Sequence, residues 1–381
     1  MNGLPVARIL GFEVRLHLSW ILILALVTAL AAERFALLGT SLPAAANWTA
    51  GGLVALALLA SVLGHELGHA LVARRVGLPD RPITLFFFGG AGAIELDGRD
   101  PWEEARIAAA GPATSFTIAA VLLLGAGLIS ALAGHSMALP ALVGELLLIL
   151  GVVNLLLALF NLIPAFPLDG GRLLRAIAWS LSGDARRAGR LTSVIGRAIG
   201  WGLIALGISV AIARDPIDGA MIGIAGWFLG NAGRAVERRL MVEDLIADVR
   251  VEDAMERDLP SVVPQLTVDT FADRYLLSGE TQALPVVGDR AWLGLIGVSQ
   301  LRRLARRAWP TTRAEDLMVS PPILPLLAPD DDLWGALERL RRSGFDGLPV
   351  VRGGDLLGVL TRRAAVATIQ DRARTRDETA R

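Results

Sequence analysis

The chain has 381 residues, with 37 basic and 37 acidic side chains, four His and no Cys. Its composition is 53% hydrophobic and 19% charged, which disfavours both an ordinary soluble domain, with ~25% charged residues, and a disordered chain. Zero net charge argues against a nucleic-acid partner, which needs a basic surface. Without Cys, disulfides and iron–sulfur clusters are excluded, so a metal must be bound by His and carboxylates.

Charge is distributed unevenly: 35 of the first 245 residues are charged, compared with 39 of the last 136. This contrast predicts a lipid-embedded region followed by a water-soluble one. The first region contains six apolar runs that reach, with their flanks, the ~20 residues that a spanning helix needs. These runs are Leu18–Ala32, Trp48–Gly64, Ile107–Gly134, Leu139–Leu162, Leu191–Ala213 and Ile217–Leu229.

Arg residues give the orientation of the predicted spans. They cluster before the first run, between the second and third, between the fourth and fifth, and after the sixth, whereas the opposite loops contain only Arg34 and Arg214. We therefore expect a multi-pass protein of the inner (cell) membrane with both termini in the cytosol. The first run is interpreted as a span and not as a cleaved signal peptide, because further spans follow and the charge pattern is satisfied with it retained.

The segment 81–95 is too short to span a membrane, and its β-branched, aromatic and Gly residues predict a β-hairpin. A hairpin at membrane depth is tolerated only where protein or a water-filled cavity surrounds it. We therefore expect a re-entrant hairpin between the helices.

The water-soluble region contains an internal repeat. Glu252-Asp-Ala-Met recurs as Glu315-Asp-Leu-Met, and Leu284-Pro-Val-Val recurs as Leu348-Pro-Val-Val, at offsets of 63 and 64 residues. Each copy is predicted to contain strands and helices. The expected organisation is a membrane domain 1–235, a linker 236–249, a tandem α/β module 250–370 with copies at about 250–308 and 313–370, and a polar tail 371–381.

The second run ends with His65-Glu66-Leu67-Gly68-His69. On a helix, residues four apart face the same way, so both imidazoles can reach one zinc ion while Glu66 is placed to hydrogen-bond a water on it. Ionisable groups are costly in a membrane helix and usually functional there. A pair of interfacial His residues with a solvated Glu is the alternative interpretation.

Catalytic zinc commonly has three protein ligands and one water. Asp169 is the candidate third ligand, because it follows the fourth run and two helix-breaking residues, Pro164 and Pro167. Its predicted depth matches that of His65 and His69. By itself, Asp169 would more simply be the cap of a helix that follows a turn.

Together, His65-Glu-Leu-Gly-His69 and Asn161-Leu-Ile-Pro-Ala-Phe-Pro-Leu-Asp-Gly170 resemble the site-2 protease family of intramembrane zinc metalloproteases, peptidase family M50. The resemblance implies that His65, His69 and Asp169 bind one zinc ion per subunit and that Glu66 is the general base. Phe88-Gly-Gly90 resembles the re-entrant hairpin of the family, which implies that this hairpin holds the substrate; a hairpin that merely packs the cavity is the alternative interpretation. The family commonly has Asn where this chain has Ser115, which leaves the role of that position open.

The resemblance implies hydrolysis of a peptide bond in or near a transmembrane helix of another membrane protein, in regulated intramembrane proteolysis. We expect Asn161 to stabilise the oxyanion, with Asn154 as the alternative donor or a residue that bonds across helices. The expected partners are this substrate and the lipid bilayer. A transporter or channel gated by its soluble module is the alternative function, but it has no need of Glu66 beside paired His residues.

The repeat resembles a pair of cystathionine-β-synthase-type (CBS) modules, which one branch of the family carries at its C-terminus. Such pairs often bind adenine nucleotides. Thr361 and Arg362 are the candidate contacts, but Ala364 replaces the Asp that the pattern places on the ribose. The sequence favours a structural or dimerising module and leaves a homodimer through it open. The expected fold class is a membrane protein of about six helices with a re-entrant β-hairpin, followed by this cytosolic CBS module, which could regulate the protease.

Overall fold

The computed structural model describes residues 3–37, 43–86, 89–90, 100–133, 138–276, 283–288 and 291–379. The chain forms two compact units, Met1–Leu240 and Met241–Arg381. The predicted hairpin segment 81–95 lies only partly within the described residues.

The first unit is built mainly from helices. In chain order its elements are β1 Leu4–Ile9, β2 Phe12–Leu16, α1 Ser19–Leu37, α2 Ala44–Arg75, β3 Ile83–Phe86, β4 Gly89–Gly90, α3 Pro101–Ala133, α4 Ala138–Asn161, α5 Asp169–Ser182, α6 Ala185–Ala213 and α7 Pro216–Leu245.

Five helices in the described part of the chain are long and apolar enough to cross a membrane. They are Ser19–Ala36, Ala44–Arg75, Pro101–Leu132, Val143–Asn161 and Ala185–Ala213. These correspond to the first five predicted spans. The sixth run lies in α7, whose more polar second half continues through much of the predicted linker, and this span stays a prediction.

Helix α7 packs closely against α6 through glycines. A Cβ on Gly200 would lie 2.7 Å from the carbonyl oxygen of Gly226, and one on Gly207 would lie 2.6 Å from that of Gly219. Small residues allow such backbone approach between membrane helices. The glycines of the sixth run therefore serve helix packing.

Four strands form one sheet in the order β1-β2-β3-β4. In the chain, β1 and β2 come before helices α1 and α2, and β3 and β4 come after them. Strands β3 and β4 pair antiparallel, as a hairpin requires, and β2 pairs with β3 in parallel. The sequence analysis missed the β1–β2 hairpin. Its tight turn at Leu10 and Gly11 has positive φ at both positions, which suits the twist of a two-residue hairpin.

Arg74, at the end of α2, holds the β1–β2 turn. Its guanidinium donates to the carbonyl of Leu10, forms two hydrogen bonds with Asp80, and lies 3.7 Å from the centre of the Phe12 ring. Trp20, at the start of α1, is buried with Phe12 in the same hydrophobic cluster. The sheet is thus attached to the helix that carries the two His residues.

The second unit is an α/β module. Its elements are α8 Val251–Ala254, α9 Val268–Phe271, a π-helical turn Ala272–Leu276, β5 Ala283–Val287, β6 Trp292–Gly297, α10 Val298–Leu301, a 3-10 turn Arg306–Ala308, α11 Ala314–Leu317, α12 Leu333–Ser343, β7 Gly347–Arg352, β8 Asp355–Thr361 and α13 Arg362–Thr379. Helix α13 includes most of the predicted polar tail.

The repeat is visible in the backbone pairing. In the first hairpin Ala283 pairs with Gly297, and in the second Gly347 pairs with Thr361, both at the offset of 64 residues. The copies also interlock. Helix α8 packs into the core of the second copy, whereas α11 packs into the core of the first. Each copy therefore completes the hydrophobic core of the other.

Candidate metal centre

Helix α2 presents the paired imidazoles. His65 and His69 are one turn apart, with ring centres separated by 4.9 Å, and His65 is 4% exposed. Glu66 follows His65 and is half-buried. The spacing of four residues brings both imidazoles to one side of the helix, as the sequence predicts.

The third predicted ligand begins another helix. Helix α4 ends at Asn161, the following turn contains both prolines, and Asp169 is the first residue of α5. A Cβ on Gly170 would lie 2.2 Å from the carbonyl oxygen of Leu162, so only glycine lets α5 start this close to the turn. The Pro and Gly residues thus place a carboxylate at a helix N-terminus, where negative charge is favoured.

The structure brings the three predicted ligands together. Asp169 Oδ2 lies 3.1 Å from Nε2 of His65 and 3.1 Å from Nε2 of His69, and the two Nε2 atoms are 3.3 Å apart. Ligand atoms on a tetrahedral zinc with bonds of ~2.0–2.1 Å are about 3.3 Å apart. The three distances therefore fit three corners of one tetrahedron.

Hydrogen bonds at the opposite ring nitrogens orient both imidazoles. His69 Nδ1 lies 2.7 Å from the carbonyl oxygen of Ile107, and His65 Nδ1 lies 2.9 Å from Oγ of Ser115. Because a carbonyl only accepts, the hydrogen of neutral His69 is on Nδ1 and its Nε2 has a lone pair. This lone pair faces the Asp169 carboxylate, so a proton or a metal cation must lie between them. Such outer hydrogen bonds are typical of zinc-binding His.

Gly111 on α3 gives the imidazoles their space. A Cβ at this position would lie 2.2 Å from Nε2 of His69 and 2.6 Å from Nε2 of His65. Any larger residue would displace the atoms that face Asp169.

The Asp169 carboxyl is buried at 9% exposure. Burial raises its pKa, but when the cation beside Asp169 is a proton, the charge of protonated His69 and hydrogen bonds from the imidazoles lower the pKa by more, so that it lies well below its ordinary value. The group is therefore ionised at neutral pH, which is the form that binds metal.

The two candidate oxyanion donors have partners on helices. Asn161 Nδ2 donates to the carbonyl of Leu157 in its own helix at 2.9 Å. Asn154 is fully buried and donates to Ser61 Oγ on α2 at 3.0 Å, the cross-helix bond that was one of its two interpretations. Asn161 keeps its catalytic role as a prediction.

In the second unit, the candidate nucleotide contacts differ from each other. Arg362 is exposed, whereas Thr361 is 1% exposed. The Thr361 hydroxyl donates to Oε1 of Glu256 at 2.7 Å and accepts from the amide of Ala364. A carboxylate in this position disfavours a phosphate beside Thr361.

Comparison with known proteins agrees with this geometry. The model of peptidase family M50 matches residues 53–139 and 125–203, and the CBS domain model matches residues 314–371. A Mycobacterium tuberculosis protein named "Putative zinc metalloprotease Rip3" is 38% identical over 362 residues, covering 94% of this chain and 91% of that protein. The zinc metalloprotease MJ0392 of Methanocaldococcus jannaschii is 28% identical, covering 93% and 92%.

Among solved structures, a site-2 protease from Methanocaldococcus jannaschii aligns with 61% of this chain and 94% of its own, at 26% identity and a TM-score of 0.41. The fold and the site define a multi-pass membrane protein in which two His and one Asp form a ligand set that suits zinc. The chain belongs to the M50 site-2 protease family of zinc metalloproteases, in the form with a C-terminal CBS region.

Sequence reasoning missed Glu104 and Ile107 on α3 and left the role of Ser115 open. Glu104, Ile107, Gly111 and Ser115 are spaced by three, four and four residues, so they lie along one face of the helix. The acidic residue at the start of an apolar helix was the available signal for this face.

Proposed function

We propose that the protein hydrolyses a peptide bond in or near a transmembrane helix of another membrane protein. The observation that carries this proposal is the convergence of His65 and His69, on a candidate membrane span, with Asp169, which follows another candidate span in the chain. Three N and O ligands with orienting hydrogen bonds suit a catalytic zinc, one per subunit. Zinc in such a site supplies Lewis acidity and brings the pKa of a coordinated water towards ~7.

Glu66 acts as the general base. It accepts the proton of the attacking water and passes it to the leaving amine. Asn161 donates a hydrogen bond to the oxyanion. To do so, its amide must give up the hydrogen bond to the Leu157 carbonyl and form one with the substrate. Removing one such donor typically costs ~10²–10³ in kcat, so Asn161→Ala should lower kcat by this factor with zinc retained.

The β3–β4 region receives the unwound substrate by strand addition. A transmembrane helix hides its backbone groups, and pairing with a strand satisfies them without strict demands on sequence.

The alternation of Arg-rich and Arg-poor loops supports an inner-membrane location with both termini and the CBS module in the cytosol. Cleavage near the cytosolic face then releases a cytosolic segment.

The CBS module regulates the protease as a structural or dimerising unit. The interlocked cores support this role, and the Thr361–Glu256 bond argues against an adenine nucleotide at Thr361 and Arg362. Isothermal titration calorimetry of the full chain with AMP should therefore show no binding. Light scattering of the full chain in detergent would test a homodimer through the module.

The deciding experiment compares purified wild type with Glu66→Gln and with Glu33→Gln, a control carboxylate exposed on α1. Zinc content is measured on all three, and cleavage is measured on single-span substrates in proteoliposomes. We expect Glu66→Gln to retain zinc and lose cleavage, with the control unchanged. If Glu66→Gln cleaved the substrate as well as wild type, Glu66 would not be the general base. If wild type contained no metal and cleaved nothing, the alternative function as a transporter or channel would be favoured.

A further inference from the structure

A buried ion pair lies outside the set of zinc ligands and the general base. Arg175 on α5 donates through Nη1 to Oε2 of Glu104 on α3. Glu104 is 0% exposed and Arg175 is 6% exposed. The guanidinium also lies 5.4 Å from the centre of the Trp179 ring, and a Cβ on Gly189 of α6 would lie 3.8 Å from Nε of Arg175. Three helices therefore meet at Arg175.

The pair joins the two helices that determine the geometry of the metal centre. Glu104 lies on the same face of α3 as Ile107, Gly111 and Ser115, which orient or make room for the imidazoles. Arg175 follows Asp169 by six residues, about 9 Å along the axis of a regular helix. The turn after α4 fixes the start of α5, and the ion pair between Arg175 and Glu104 attaches α5 a second time, to α3.

Stability alone gives a poor reason for this pair. Removing two charges from water is costly, and replacing a buried ion pair with well-packed apolar residues is often neutral or stabilising. A metal site, in contrast, is expected to keep its ligand distances within about 0.2 Å of their standard values. A charge pair between α3 and α5 fixes the rotation of α5, and with it the distance of the carboxylate from the imidazoles.

We propose that Glu104 and Arg175 are positioning residues that set zinc affinity by holding Asp169 against the two imidazoles, without touching metal or substrate. This inference rests on the proposed zinc site. Loss of outer partners of metal ligands typically lowers metal affinity 10–100-fold, and we expect a loss of this size when the pair is replaced.

The test uses the full chain in detergent and compares wild type with Glu104→Met/Arg175→Met and with Arg175→Lys. The double variant removes both charges together, so no unpaired charge is buried, and the Lys variant keeps the charge but loses the planar fork. The matched control is Arg197→Met/Glu237→Met, which removes the ion pair between α6 and α7. Zinc affinity is measured by chelator competition, folding by thermal unfolding, and ligand geometry by the visible spectrum of the Co²⁺-loaded protein.

We expect the double variant to unfold near the wild-type temperature but to bind zinc 10–100-fold more weakly with an altered Co²⁺ spectrum. Arg175→Lys should show a smaller loss, and the control should bind zinc as wild type does. The proposal would be overturned if a folded variant at Glu104 and Arg175 bound zinc with wild-type affinity. It would also be overturned if the control variant lost as much zinc affinity as the double variant. A wild type without zinc affinity would instead contradict the proposed metal centre.

Discussion

Asp169 in the membrane unit and Glu256 in the CBS unit are both carboxylates whose partners are more than 90 residues away in the sequence. Asp169 faces two imidazole nitrogens, of which at least one has a lone pair when neutral. Glu256 faces the hydroxyl of Thr361, which donates to it. The first set of atoms needs a cation between them, whereas the second is complete as it stands.

The difference shows how to distinguish a site from a structural contact. A buried polar group with a matched donor or acceptor contributes to stability, as buried polar groups normally do. A cluster of acceptors held together by outer hydrogen bonds and by close helix packing implies a ligand that supplies positive charge. Variants in the two units should therefore change different properties of the protein.

The largest effect is expected from Asp169→Asn. The amide keeps the size of the side chain but removes the charge that the cation needs, so zinc binding and cleavage should both be lost. The drop in zinc affinity should exceed the ~10–100-fold cost of losing an outer partner. Metal analysis of the purified variant checks this, and a zinc content equal to wild type would contradict the assigned ligand.

Gly111→Ala should come next. Its Cβ would lie 2.2 Å from Nε2 of His69, so the imidazoles must move apart and zinc affinity should fall by more than the ~10–100-fold expected for the loss of an outer partner. Gly127→Ala is the matched control on the same helix, because a Cβ there meets nothing within 4 Å. Equal zinc affinity in Gly111→Ala and Gly127→Ala would mean that the imidazoles accommodate the added methyl group and would contradict the role assigned to Gly111.

Ser115→Ala tests the outer hydrogen bond in isolation. Loss of the partner of His65 Nδ1 should weaken zinc binding by ~10–100-fold without unfolding the protein. Ser115→Asn, which can still hydrogen-bond the imidazole, should retain more of the affinity. Chelator competition measures both, and a Ser115→Ala protein with wild-type affinity would contradict this role.

In the CBS unit, Thr361→Val should affect stability alone. It removes the hydroxyl that donates to Glu256, and a hydrogen bond to a charged group contributes roughly 1.5 kcal/mol or more. Denaturant unfolding of the full chain should show this loss, with zinc content unchanged. A fall in zinc content would mean that the two units do not differ in the way proposed here.

The smallest effect is expected at Glu338 on α12. The hydrogen bond from Arg341, followed by that from Arg342, lowers the pKa of Glu338 to about 2, against the effect of burial. Its contribution to stability is therefore complete above its unfolded pKa of ~4.3 and is lost as pH falls towards 2. Glu338→Gln should cost less than ~1 kcal/mol at pH 7, and the difference from wild type in unfolding experiments should shrink at pH 3.

Much of this protein follows from local patterns in its sequence. Lipid-length apolar runs indicate helices because spanning backbone must satisfy its own hydrogen bonds. The His spacing gives one face of a helix, and the repeat offset of 64 residues gives two equivalent hairpins. The five candidate spans and the CBS-like module agree with those patterns.

Only the tertiary structure decided which distant groups meet. No local pattern indicates that Ser115 and the Ile107 carbonyl would orient the imidazoles, or that Glu104 would pair with Arg175. Nor does any local pattern indicate that α8 and α11 would each pack into the core of the other CBS copy. These contacts depend on how helices pack at van der Waals distance, and the close approaches at Gly111 and Gly170 show how little room that packing leaves. Residue type set the available chemistry, and packing set which atoms perform it.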